Sequence, residues 1–118
     1  NVVTLLDGLP DAWNGGPPQQ VKTLHSHRQA VLGGHFHSYA ECYTMVKGLA
    51  VFRLQDPEDP KRMADYPLGI GDFLLVAPGI AHMCVVDANS ILLGATEFPY
   101  ADAAENDTPF EMDAPAFE

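Results

Sequence analysis

Cations are scarce in this chain and unevenly placed. Of 118 residues only six are Lys or Arg, and all six lie in residues 1–62, where six acids balance them. Residues 63–118 carry the other ten Asp and Glu with no Lys or Arg, so the formal net charge of −10 arises in the second half. Nucleic-acid binding requires clustered cations that displace phosphate counterions, and an anionic membrane surface makes a similar demand. This distribution excludes both partners, and the acidic half reads as a solubilising surface. Cysteine is nearly lacking: Cys42 and Cys84 form no CxxC pair and are too few for a disulfide scaffold. On strands, Cys42 points away from the Glu41 side while Cys84 points with His82, so reduced, buried thiols are expected. No apolar run approaches the ~20 residues that cross a bilayer, no leader segment is visible, and a cytoplasmic protein is expected.

Sustained helical periodicity is also missing. Short β-type runs recur with turns every 8–12 residues or so, the pattern of an all-β sandwich or barrel. At 118 residues the chain makes one domain, with a core over about residues 21–98. Residues 1–20 read as a short edge strand over 2–6, then an irregular loop rich in Gly and Pro that contains Trp13. Residues 21–28 read as a strand, as do 41–47 and 49–55, the last two joined as a hairpin at Gly48. Residues 56–62 hold two prolines and five charges and read as an exposed loop. Residues 63–67 show no clear pattern. Strands are expected again over 73–77, 82–86 and 91–98, and an acidic tail over 99–118 that drapes over the barrel or frays.

The chemistry concentrates in residues 34–48. His35 and His37 project to one face of a strand, and Glu41 keeps that parity if the chain stays extended. Two neutral imidazoles and a carboxylate facing one space are three ligands of a divalent metal. His82, after the Pro78-Gly79 turn, is the candidate fourth. A second histidine pair, His25 and His27, repeats the alternation without a carboxylate behind it. It reads either as polar residues at a solvated edge or as a pocket wall supplying an acid/base group. Parity places Tyr43, Met45, Cys84, Val86 and Lys47 on the ligand side, where Tyr43 is a candidate proton donor.

These residues resemble the cupin superfamily. Its first motif is a Gly, five residues, HxH, three or four residues, Glu, six residues and Gly, which His35, His37, Glu41 and Gly48 match. The leading Gly is not there. Its second motif is a Gly, five residues, Pro-x-Gly, two residues, His, three residues and Asn. Gly71, Gly79 and His82 match it, with Ala77 in place of the Pro and Val86 in place of the Asn. The departures touch no ligand position.

The resemblance implies a jelly-roll β-barrel with one divalent transition metal (Mn, Fe, Co, Ni, Cu or Zn) on His35, His37, Glu41 and His82. Up to two coordination positions are left for water or substrate. Some cupins lack metal and use the HxH histidines as acid and base; the retained Glu41 favours the metal reading. A homodimer is implied by analogy, with residues 2–6 a candidate for edge exchange.

For function, the resemblance implies an enzyme acting on a small polar organic molecule by isomerisation or proton transfer, with Tyr43, His25 and His27 as candidate catalytic groups. The alternatives are an Fe or Mn dioxygenase, a sugar-nucleotide or polysaccharide-biosynthesis isomerase or epimerase, and a non-catalytic ligand binder. Residues 33–37 with Glu41, and the closing stretch 99–110, look loosely like the small cupins of sugar-nucleotide biosynthesis. A metal-free branch of those has Arg-Gly before its histidines, where this chain has Leu32-Gly33-Gly34. Few cations are available for a diphosphate, which sets the sugar-nucleotide reading behind a generic metal-dependent one.

Overall fold

Alternation of apolar and polar residues builds two facing sheets. The structure is a computed structural model that describes residues 2–3, 20–96 and 108–116. In chain order the strands are β1 (Val2–Val3), β2 (Gln20–Ser26), β3 (Ala30–Phe36), β4 (Glu41–Lys47), β5 (Ala50–Asp56), β6 (Asp59–Leu68), β7 (Phe73–Val76), β8 (Ala81–Val86), β9 (Ser90–Thr96) and β10 (Thr108–Pro109). One sheet has the order β1-β7-β4-β9-β2 and the other β10-β3-β8-β5-β6. None of the described residues is helical, and no helix is long and apolar enough to cross a membrane.

The all-β jelly-roll expectation holds, with one correction. Among the described residues the two sheets face each other without closing into a barrel, each ending in its own edge strands. Between them lies the core: Tyr43, Met45, Leu74, Val76 and Leu92 from one sheet meet Phe52, Leu54, Leu68, Cys84 and Val86 from the other. Strict alternation of buried and half-buried positions along β4, β5 and β9 shows the period of two that places these side chains inward.

Two further expectations are corrected. Residues 41–47 and 49–55 do not form a hairpin: β4 pairs with β7 and β9, while β5 pairs with β6 and β8. The chain crosses from one sheet to the other at Gly48. Its φ of +83° and the closeness of Ser90, whose Oγ would lie 2.1 Å from a Cβ there, require glycine. Residues 58–62 are exposed, and 56–62 do not form an extended loop. Asp56 Oδ1 accepts the Glu58 N–H at 2.9 Å across a tight turn, and β6 runs from Asp59 through the patternless 63–67. Pro60 and Pro67 fit there because β6 is an edge strand, with one side free of ladder bonds among the described residues.

Residues 108–116 drape over the second sheet. β10 pairs with β3 at Phe36 and His35, the Phe110 N–H bonds Gly34 O at 2.9 Å, and the Phe110 ring meets Phe36 edge-on. Arg53 grips both Asp65 and the Asp113 carbonyl. Val2–Val3 pairs parallel to β7; the rest of the expected first strand, Trp13 and residues 97–107 lie outside the described residues.

Candidate functional site

The first motif reaches the site through a kink. Gly33 and Gly34 have φ of +94° and +88°, and the pairing of β3 with β8 shifts register between Gly33 and His35. A Cβ on Gly33 would lie 2.7 Å from the His82 carbonyl oxygen, so only glycine lets the two strands approach there. His35 then faces His82 across the pair, with ring centroids 4.7 Å apart. His37 follows the end of β3, and its carbonyl accepts the Gly79 N–H at 2.8 Å. The Pro78-Gly79 turn of the second motif is thus tied to the first.

Glu41 arrives by a different route from the one parity implied. The chain is not extended through residues 37–40, and Glu41 opens β4 in the opposite sheet. The four predicted ligands nevertheless converge. One ligand atom from each of His35, His37, Glu41 and His82 lies within 4.8 Å of the others. Two ligands about 2.1 Å from a shared ion are about 3.0 Å apart when cis and about 4.2 Å when trans, so the cluster is close to the required size. His37, Glu41 and His82 are 3%, 3% and 2% exposed; His35 is half-buried.

Hydrogen bonding fixes the imidazoles. His37 Nδ1 donates to the Tyr39 carbonyl at 2.8 Å, and His82 Nδ1 donates to the Ile80 carbonyl at 3.0 Å. A carbonyl only accepts, so in a neutral ring Nε2 is left as a bare lone pair. Both Nε2 atoms point at Glu41 Oε1, at 2.7 Å from His37 and 3.3 Å from His82. The second contact lacks hydrogen-bond geometry, and His82 Nε2 is a buried nitrogen with no hydrogen-bond partner. Lone pairs aimed at a carboxylate call for a cation among them, a proton or a metal. The Tyr39 ring stacks on His37 at 3.8 Å, locking its plane.

The electrostatics follow from burial and this contact set. Burial alone would raise the Glu41 carboxyl, but its contacts with the His37, His82 and Tyr43 side chains outweigh it and hold the group well below the usual carboxylate range. Burial first, then the Glu41 charge, drives the Tyr43 phenol far above its ordinary value. Tyr43 is therefore a neutral donor at pH 7. The Cys84 thiol is pushed up to about 12 by burial and the Glu41 charge, which keeps it a protonated wall residue and not a thiolate ligand. Cys42 and Cys84 are both free.

The cluster forms the floor of a cavity of about 330 Å³ with walls from Leu24, Leu32, Phe52, Leu92 and Cys84. Of the expected catalytic groups, Tyr43 lines it. His25 and His27 do not: both are exposed, His25 on edge strand β2, where Leu24 is half-buried and Ser26 buried, and His27 in the bend just after it. The physical reason is the phase of β2, which turns Lys22 and Leu24 to the cavity and His25 outward. Lys47 is exposed as well, because the register of β4 shifts between Met45 and Lys47. Met45 and Val86 pack in the core. Lys22 and Gly94 are site residues that parity arguments passed over. The signal was Leu24, the apolar residue that sets the inward phase of β2.

No protein-family model and no curated protein matches the sequence. Solved structures do. The fold is that of the cupin jelly rolls, with both five-stranded layers and the His/Glu cluster between them. Particular neighbours are the RmlC epimerase of Mycobacterium tuberculosis (TM-score 0.66, 20% identity, covering 78% of this chain and 50% of that one). The capsular polysaccharide assembling protein CapF of Staphylococcus aureus superposes with TM-score 0.70 at 17% identity over 80% of this chain and 27% of that one. The TDP-fucose-3,4-ketoisomerase WlaRA of Campylobacter jejuni gives 0.67 at 13% identity over 77% of this chain and 67% of that one. At these identities the likeness is one of fold, and the chain spans half or less of the first two.

Proposed function

We propose that this chain is a keto-sugar isomerase or epimerase whose cavity floor holds one divalent transition metal on His35, His37, Glu41 and His82. The observation that supports the metal is the aim of the His37 and His82 Nε2 atoms, whose rings are fixed by backbone carbonyls, at one buried carboxylate oxygen. Imidazole and carboxylate donors suit Mn, Fe, Co, Ni, Cu or Zn. When bound, the ion supplies polarisation of a substrate carbonyl. The sugar class draws support from the neighbours named as an epimerase and a ketoisomerase. It also draws on a cavity at the small end of the ~300–1,000 Å³ range, large enough for the sugar end of a substrate.

The chain's own residues do the rest. Tyr43 keeps its phenolic proton at neutral pH and sits on the cavity wall, where it would donate a proton to the enolate, while the proton lost from carbon would pass to a water entering from the cavity mouth. Tyr39 and the carbonyls of residues 39 and 80 orient the imidazoles. Leu24, Leu32 and Phe52 limit water around the carbon that loses its proton.

The test has two arms. Elemental analysis of purified protein should find close to one metal per chain. Incubation with keto-sugars in D₂O should place deuterium at the carbon beside the carbonyl, with or without O₂, and Tyr43→Phe should slow it ~100-fold or more. Metal near zero sinks the metal assignment. Substrate loss coupled to O₂ consumption replaces proton transfer with oxygenation.

A further inference from the structure

We infer that the strap formed by residues 108–113 is a positioning element of the site: seated on the end of β3 and latched by Arg53, it holds His35 opposite His82. The inference concerns the fold of the cluster and needs no metal; only its turnover readout rests on the function proposed above. β3 has β8 on one side and β10 on the other. Thr108 pairs with Phe36 and Pro109 with His35, so the strap lies directly against the residue that bears the imidazole.

The end of β3 is a pliant approach to the cluster. Gly33 and Gly34 both have positive φ, and the pairing with β8 slips between Gly33 and His35. Two successive glycines have many backbone states open to them, so contacts from outside must select the one that aims His35. The strap supplies them. The Phe110 N–H bonds the Gly34 carbonyl at 2.9 Å, and the Phe110 ring meets Phe36 edge-on with centroids 6.3 Å apart. A Cβ on Gly34 would lie 3.4 Å from Met83 Cε and 3.7 Å from the Phe110 carbonyl oxygen, so Gly34 is seated between a β8 side chain and the strap. His35 is half-buried where the other three members of the cluster are buried, which leaves it the most open to displacement.

Arg53 latches the strap at its other end. On β5 it stands between the core residues Phe52 and Leu54, so its guanidinium lies on the face away from the cavity. Nε and Nη2 donate to the two Asp65 carboxylate oxygens at 2.7 and 2.9 Å, and this bidentate pair fixes the guanidinium plane. Nη1 is then aimed at the Asp113 carbonyl, 3.0 Å away. The strap therefore runs from β3 across β8 to β5 and is tied at both ends. A strap that served only as a cover would leave β3 unchanged when its ring is cut back; one that positions His35 would not.

Phe110→Ala, Phe110→Tyr and Arg53→Met test this in the full chain as purified, with thermal unfolding as the check on folding. Hydrogen exchange over residues 30–37, read by mass spectrometry, should quicken about tenfold or more in Phe110→Ala and Arg53→Met, while residues 41–47 on the opposite sheet keep their rate. Acylation of His35 by diethyl pyrocarbonate should rise about fivefold or more in both, measured against the exposed His25 and His27 as internal references. Phe110→Tyr keeps the ring and should match the unmodified protein in both readings. In the keto-sugar exchange assay kcat should fall about tenfold in Phe110→Ala and Arg53→Met, with KM within about twofold. Unchanged exchange over 30–37, an equal rise over 41–47, or an unchanged His35 rate overturns the inference. A kcat that holds in the variants of an active protein also overturns it. No turnover in the unmodified protein removes the proposed function instead, and the two mass-spectrometric readings then decide on the strap alone.

Discussion

Replacing Glu41 by Gln keeps the shape of the cluster and removes its one buried negative charge. The carboxylate oxygen lies 2.7 Å from His37 Nε2 and 3.3 Å from His82 Nε2, so it is a direct ligand in the metal reading and not an outer partner. Loss of an outer partner already weakens metal binding about 10–100-fold, which puts Glu41→Gln at ~100-fold or more. At a free metal concentration ~1,000 times the dissociation constant, binding stabilises the unmodified fold by about 4.1 kcal/mol. A ~100-fold weaker site keeps about 1.4 kcal/mol of that at the same concentration. For a domain of this size about 1 kcal/mol moves Tm by roughly 3–5 °C. The metal-induced rise should therefore be about 12–20 °C for the unmodified protein and about 4–7 °C for Glu41→Gln. Thermal unfolding with and without metal, followed by far-UV circular dichroism, reads both. Equal rises in the two proteins would refute the assignment of Glu41 as a ligand.

The Glu41 carboxyl is held below its ordinary range in the folded state, so its contribution to stability is present above about pH 5 and is lost as pH falls through ~4.3 toward the lowered value. The difference in urea midpoint between the metal-free unmodified protein and Glu41→Gln should be flat from pH 7 to about 5 and shift against the unmodified protein below that. Gly48→Ala forces a Cβ to within 2.9 Å of Ser90 Cα at a φ of +83° and should cost about 2–4 kcal/mol in urea unfolding. A cost below ~1 kcal/mol would mean that the crossing between the sheets relaxes easily.

The convergence of His35, His37, Glu41 and His82 was legible because it depends on spacing that the chain cannot disguise. The pair at 35 and 37 and the histidine behind a Pro-Gly turn are local patterns, and the turn residues that create them are in the sequence. Sheet membership was not legible. A glycine at 48 announces a change of direction, but an in-sheet hairpin and a crossing to the opposite sheet use the same residue. The crossing is decided by Ser90, far along the chain, whose hydroxyl oxygen meets the Leu49 N–H at 3.2 Å. Strand phase was legible only through apolar residues. His25 and His27 look like His35 and His37 in sequence, yet Leu24 sets the inward face of β2 and leaves them to solvent. β6 was hidden because an edge strand tolerates the prolines and charges that mark a loop elsewhere.

The four donors are drawn from both layers of the molecule: His35 and His82 sit on one sheet, Glu41 on the other, and His37 on the link between them. Among the described residues no strand ladder joins the layers, since the strands stop short of closing on themselves. In the metal reading, a cation at the cluster would act as a clasp between the two halves, added to their side-chain packing and to the crossing at Gly48. Its release would loosen the seam from the inside. On the proposed reading, chemistry and mechanical integrity share the same four side chains, and a change that tunes one would be felt by the other.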